Sequence, residues 1–433
     1  MNTLSKAACA GWISLSNLML IWGPAAAQNP AHTTTQTTAQ TTNAAQPVTR
    51  AAGIPELADL KRYARIPHFR LGGSYAIGQP ERYAQGGEGG TTLESLGHAP
   101  LQLGYIATGT PRRNAAGEII NAVVVSAYYS GDAAFLYHYW YAGQPDNTLA
   151  GGELIGPGRV IDTDQYYVIF VDAIGLWGSS KPSQGTGPDF PQYSLYDMVQ
   201  ANYRLLRDHL RVGRVLLAMG PSMGGMQSYL WPVLQPDFVA AILPIGATAD
   251  TRHDPLVRHL FQLMSAAIQS DPVWRSTRGY YYDRPKSGHP NQGVAFGWSL
   301  LGHTGTSFDL QYAQGWEAKK SQVFSWDQPE LGQGLQSRAA DYDANDLLFR
   351  NRALFDFDAS MYLSRIRAKT LIIHVANDQW IHLQNAHRAA AQIPGAQLYS
   401  FEDPLAHYAI FKAPNHFAPQ IRAFLQGLTQ PAP

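Results

Sequence analysis

Apolar residues recur along this chain in two spacings. Short continuous runs rich in β-branched and aromatic residues occur at 118–129 (EIINAVVVSAYY), 166–175 (YYVIFVDAIG), 214–220 (RVLLAMG), 240–248 (AAILPIGAT) and 370–378 (TLIIHVAND). Runs of this length and type predict strands buried on both faces. Between them, YSLYDMVQANYRLLRDHL (193–210) and LQNAHRAAAQI (383–393) place apolar residues at helical spacing. The alternation predicts an α/β fold with a mostly parallel central sheet flanked by helices.

Two regions break the rhythm. From about 250 to 351 the pattern turns to amphipathic helical pieces such as DPLVRHLFQLMSAAIQ and aromatic loops such as RGYYYDRP, with few strand-like runs. This is read as a helical lid inserted over the carboxyl edge of the sheet, where open α/β sheets place their sites. The core is then 51–249 and 352–428. At the other end, residues 28–50 are Thr/Gln/Ala-rich and free of aromatics, a composition that cannot bury a core and predicts a disordered linker. Before it, MNTLSKAACAGWISLSNLMLIWGPAAAQ carries one early charge, an apolar stretch and small residues at 25–27. It reads as a signal peptide cut after Ala27, which implies a periplasmic or secreted protein with no stable membrane insertion after cleavage. An uncleaved anchor is the alternative, and Ser14, Ser16 and Asn17 interrupt the span it needs.

Composition narrows the chemistry. The chain has 433 residues, and Lys+Arg and Asp+Glu each total 32, so no net basic field attracts nucleic acid. The single cysteine, Cys9, falls within the signal. The mature chain therefore has no disulfide and no thiol nucleophile. No H-E-x-x-H or similar ligand set is present, so neither a catalytic metal nor a cofactor is expected.

The candidate chemistry centres on Gly220-Pro221-Ser222-Met223-Gly224. It fits G-x-S-x-G, in which a serine on a strand-to-helix turn is lifted clear of the sheet and the next amide helps hold an oxyanion. RVLLAM before it reads as a strand and GGMQSYLWPVL after it as a helix, so Ser222 is the candidate nucleophile. A serine hydroxyl needs a base oriented by an acid, in the chain order Ser, Asp or Glu, His on such a scaffold. Asp378 ends the run TLIIHVAND, and His407 follows the strand-like AQLYSFE in DPLAHYAIF. Asp403 is a second acid, on the approach to His407. Asp378 also reads as an N-cap for QWIHLQNAHRAA and His407 as a packed loop histidine. His374, His382 and His387 fall on a strand or a helix and fit the base less well. Backbone N–H groups of Met223 and Tyr129 are the expected oxyanion donors, with Tyr128 as the neighbour of Tyr129. Tyrosines of AYYSGDAAFLYHYWYAG line an aromatic cleft or pack beneath the lid.

The chain resembles the homoserine O-acetyltransferase family of α/β-hydrolase-fold proteins over roughly 119–414. The resemblance is carried by LIGPGRVIDTDQYYVIFVD, GPDFPQYSLYDMVQANYRLLRDHL, GPSMGGMQSYLW, SDPVWRSTRGYY and PLAHYAIF. It implies an α/β-hydrolase fold, a triad at Ser222, Asp378 and His407, an acyl-enzyme, a helical lid and a homodimer. Departures fall where the family reads its substrate. GWSLLGHTGTSF puts Trp298 and Gly305 where an Arg and a Tyr are usual, Tyr408 follows His407 in place of an Asp, and DAIGLWGSSKPS replaces another family segment. A zwitterionic amino acid needs charged partners, so homoserine is not the expected substrate. Trp298, Tyr408 and Tyr128 become candidate substrate contacts. The reading is an exported serine hydrolase acting on a small-molecule carboxylic ester. An O-acyltransferase with another acceptor and a non-catalytic binding protein are the alternatives.

Overall fold

The computed structural model describes residues 57–142, 154–325, 327–328 and 332–429. The signal and linker expected over 1–50, and the expected start of the core near Ala51, lie outside the described residues. Eight strands form the central sheet: β1 (Arg62–Ile66), β2 (Leu101–Thr108), β3 (Ala122–Ser126), β4 (Tyr167–Val171), β5 (Val215–Pro221), β6 (Ala241–Ile245), β7 (Lys369–Val375) and β8 (Gln397–Phe401). Their order across the sheet is β1-β2-β4-β3-β5-β6-β7-β8. The six strands from β4 to β8 in that order run parallel, as the apolar runs predict, while β1 with β2 and β2 with β4 pair antiparallel. Every residue of β3 and β6 is buried. Removing one Val of β3 from water contributes about 1.5–3 kcal/mol relative to exposure.

Helices cover the sheet and its carboxyl edge. The core helices before the insertion are α1 (Ala133–Trp140), α2 (Leu195–Arg204) and α3 (Met223–Leu234). Between β6 and β7 come α4 (Pro255–Ser270), α5 (Pro272–Thr277), α6 (Asn291–Thr304), α7 (Phe308–Lys319), α8 (Gln333–Ala339) and α9 (Ala344–Phe355), with no strand among the described residues there. The last of these runs past the expected lid boundary at 351. After β7 come α10 (Leu383–Gln392) and, near the end, α11 (Ala418–Thr429).

Local chemistry starts these helices where the sequence allows. At α4, Asp254 accepts from the Leu256 and Val257 amides, and Pro255 occupies the first turn, where its missing N–H costs nothing. At α2, Ser194 and Asp197 form a reciprocal capping box. None of the described helices is long and apolar enough to cross a membrane.

Candidate active site

Strand β5 delivers the chain to Ser222 and α3 carries it away. The last pairing of β5 sets Pro221 beside Ile245, and the Ser222 amide then donates to the Ile245 carbonyl at 2.8 Å. Ser222 has φ 53° and ψ −123°, a conformation that costs a non-glycine residue free energy and is sustained by the surrounding packing. Glycines make room for the turn. A Cβ on Gly220 would meet the Gly224 backbone at 2.6 Å, and one on Gly224 would lie 2.2 Å from the Ser126 carbonyl oxygen. Gly224→Ala is therefore expected to lose about 3 kcal/mol, since backbone at that distance cannot yield as a flexible side chain does. Urea unfolding checks it, and a variant as stable as wild type contradicts the close packing of α3 on β3.

His407 and Asp378 meet Ser222 at the sheet's carboxyl edge, from the loops that follow β8 and β7. His407 Nε2 lies 3.0 Å from Ser222 Oγ, and His407 Nδ1 lies 2.6 Å from Asp378 Oδ2. With Nδ1 protonated, Nδ1–H donates to the carboxylate and Nε2 accepts from the serine hydroxyl. The other oxygen of Asp378 accepts from the Trp380 and Ile381 amides at 2.8 and 3.0 Å. Burial pushes the Asp378 carboxyl up. The charge and hydrogen bond of His407, the charge of His374 and the Ile381 amide outweigh it and hold the group below the usual carboxylate range.

The rival candidates are accounted for. Asp403 turns away from His407, accepting from the Leu405 amide at 2.8 Å and pairing with His416 Nε2 at 3.0 Å. His374 donates from Nε2 to the Ile381 carbonyl, and burial above all keeps its imidazole below its usual range. QWIHLQNAHRAA does not become helical at Asp378. The helix begins at Leu383, with His382 as its N-cap, because Asp378 is engaged in the turn before it.

The two residues expected to donate to the oxyanion, Met223 and Tyr129, both line the pocket that holds Ser222. Met223 is the first residue of α3, where helix amides lack intrahelical acceptors and the dipole favours negative charge. Among the described residues, neither its N–H nor that of Tyr129 has a protein acceptor. The loop carrying Tyr129 is clamped by groups that the local sequence pattern did not single out. Arg350, fully buried on α9, donates to the Tyr129 carbonyl at 2.8 Å and to the Ile174 carbonyl at 2.6 Å. Tyr342 and Trp177 both donate to the Ser130 carbonyl at 2.9 Å, and the Tyr129 hydroxyl donates to Asn351.

Around Ser222 lies a pocket of about 610 Å³ of empty space, part of it open to solvent. Tyr128, Trp298 and Tyr408, the three candidate substrate contacts, all line it with Tyr129 and Met223. Two departures from the family pattern fit together physically: a Cβ on Gly305 would strike the Tyr408 ring at 2.6 Å, so the small residue makes room for the large one. Trp380, also missed in the sequence, packs its ring 4.5 Å from that of His407 and donates from Nε1 to Thr304 of α6 at 2.8 Å. The other tyrosines of the segment serve packing in part, Tyr137 stacking on Tyr141 at 4.4 Å. Asp250, His253 and Asp358 are the one cluster of metal-ligand type among the described residues, and none of them lines the pocket.

Residues 158–414 match the model of the alpha/beta hydrolase fold family. A homoserine O-acetyltransferase of Desulfotalea psychrophila is 30% identical over 276 residues, covering 60% of this chain and 67% of that protein. An acetylester hydrolase from Corynebacterium glutamicum has a similar structure, with a TM-score of 0.65 at 23% identity over 85% of this chain and 95% of that one. A homoserine O-acetyltransferase from Bacillus anthracis gives a TM-score of 0.67 at 20% identity, over 86% and 97%. At such identities the two structures speak for the shared fold alone.

Proposed function

We propose, from the premise that this chain belongs to the homoserine O-acetyltransferase family of the alpha/beta hydrolase fold, that it hydrolyses a small carboxylic ester through an acyl-enzyme on Ser222. The observation that carries the reading is the hydrogen-bonded series Ser222–His407–Asp378 at the floor of a largely apolar and aromatic pocket. Ser222 Oγ attacks the ester carbonyl while His407 Nε2 takes its proton. The Met223 and Tyr129 amides hold the oxyanion. The alkoxide leaves with the proton from His407, and the acyl group stays on Ser222. Water then attacks that acyl group, losing a proton to His407, and Ser222 regains its proton as the acid departs.

Water is preferred as acceptor because Tyr408 stands where the family carries the Asp that holds the amino group of homoserine, and among the described residues the pocket wall has no carboxylate to replace it. An N-terminal signal cut after Ala27 belongs to the same proposal, since outside the cytoplasm the site has no acyl-CoA supply. The second reading, O-acyl transfer, is favoured by the similarity to homoserine O-acetyltransferases, and it differs only in the nucleophile of the second half-reaction. Product analysis separates the two. With 4-nitrophenyl acetate and added homoserine, hydrolysis predicts acetate as the dominant acyl product. O-acetylhomoserine in excess of acetate, or turnover only with an alcohol acceptor, overturns it.

A further inference from the structure

We infer that Arg338 forms an anion-binding subsite inside the Ser222 pocket, and that the ester this pocket takes carries a carboxylate. The subsite rests on the pocket alone, whereas its assignment to an ester rests on the hydrolase reading above. Arg338, on α8, lines the same pocket as Ser222 and His407. Among the described residues it is the one Lys, Arg, Asp or Glu on that wall. Its guanidinium lies 4.7 Å over the Trp298 ring, and the phenols of Tyr408, Tyr342, Tyr139 and Tyr128 surround it. Burial drives three of those phenols, Tyr128, Tyr139 and Tyr342, further from ionising, so they give it dipoles and no counter-charge.

The Arg338 guanidinium makes no hydrogen bond or ion pair among the described residues, and its Nε is buried without an acceptor. Asp341 feels its charge but makes no ion pair with it. The contrast with Arg350 is instructive. Where this fold uses an arginine as a structural clamp, three carbonyls accept from the guanidinium. Arg338 has none. Arg338 is half-buried, and a cation partly withdrawn from water without a partner is unfavourable; stacking on Trp298 offsets only part of that. A carboxylate answers the planar fork with two parallel hydrogen bonds. The wall offers no carboxylate for an ammonium group, so the chemistry selects an anion over a zwitterion.

The test compares esters matched in size but not in charge: mono-4-nitrophenyl glutarate against 4-nitrophenyl pentanoate, and the acetate ester of 4-hydroxybutyrate against pentyl acetate. Wild type is expected to favour the anionic member of at least one pair by about tenfold or more in kcat/KM. Arg338→Gln should bring that ratio to near one, and Arg338→Lys should restore part of it. Calorimetry with glutarate and with 4-hydroxybutyrate reads the subsite without turnover: wild type should bind one of them at least about tenfold more tightly than Arg338→Gln. If no ester is hydrolysed but binding still depends on Arg338, the hydrolase reading fails and the subsite stands. Ratios and binding unchanged in Arg338→Gln, with only a lowered melting temperature, make Arg338 structural and overturn the proposal.

Discussion

Ser222→Ala is expected to lower kcat for 4-nitrophenyl acetate by about 10⁵- to 10⁶-fold while leaving the fold intact. The loss is large because, among the described residues, Ser222 is the one hydroxyl that His407 Nε2 meets. Met223 brings a thioether, and the tyrosines on the pocket wall are protonated phenols or packed against other rings. His407 keeps its bond to Asp378 in the variant, and Asp378 keeps its two amides, so the base remains oriented with nothing to deprotonate. The residual rate should be that of the oxyanion amides and binding alone, some 10³- to 10⁴-fold above water. Stopped assays on the purified variant, with a melting curve for integrity, check this. A variant retaining more than a tenth of the wild-type rate removes Ser222 from the mechanism.

The second large effect is expected at Asp378. Asp378→Asn preserves volume and still accepts from the Trp380 and Ile381 amides. The atom facing His407 Nδ1, 2.6 Å away, becomes an amide NH₂. Nδ1 must then accept, which puts the imidazole proton on Nε2 and leaves nothing to take the Ser222 proton. A fall of about 10⁴-fold in kcat follows, with KM little changed. Asp403→Asn is the internal control. That carboxylate serves the Leu405 amide and His416, so its loss should affect stability more than kcat. If Asp403→Asn costs more activity than Asp378→Asn, the acid has been misassigned.

The site was legible in the sequence where chemistry coincided with strand ends. Ser222 and Asp378 each follow an apolar run closely enough to be placed at the carboxyl edge, and the order Ser, Asp, His made sense of residues 185 and 29 positions apart. Strands β1 and β2 were not legible. In β1 three of five residues are exposed and the sequence RYARI alternates, while β2 is interrupted by Gly104, which lies against Lys61 and Asp172. Arg350, Asn351, Trp380 and Arg338 were missed for a different reason. Their roles depend on which face of a helix or turn meets the pocket, and that is decided by the packing of α6, α8 and α9 over the sheet. The unexpected turn between Asp378 and Leu383 has the same origin, since a carboxylate engaged by two amides and a histidine is not available to cap a helix there.

In the proposed mechanism acyl groups pass through Ser222, and mass spectrometry of the protein quenched in acid during turnover of 4-nitrophenyl acetate tests this without an intermediary. The expected result is an adduct of one acetyl group on the intact chain, mapped to the peptide containing Ser222 and absent from Ser222→Ala. Steady turnover with no adduct on wild type, or the same adduct on the alanine variant, contradicts it.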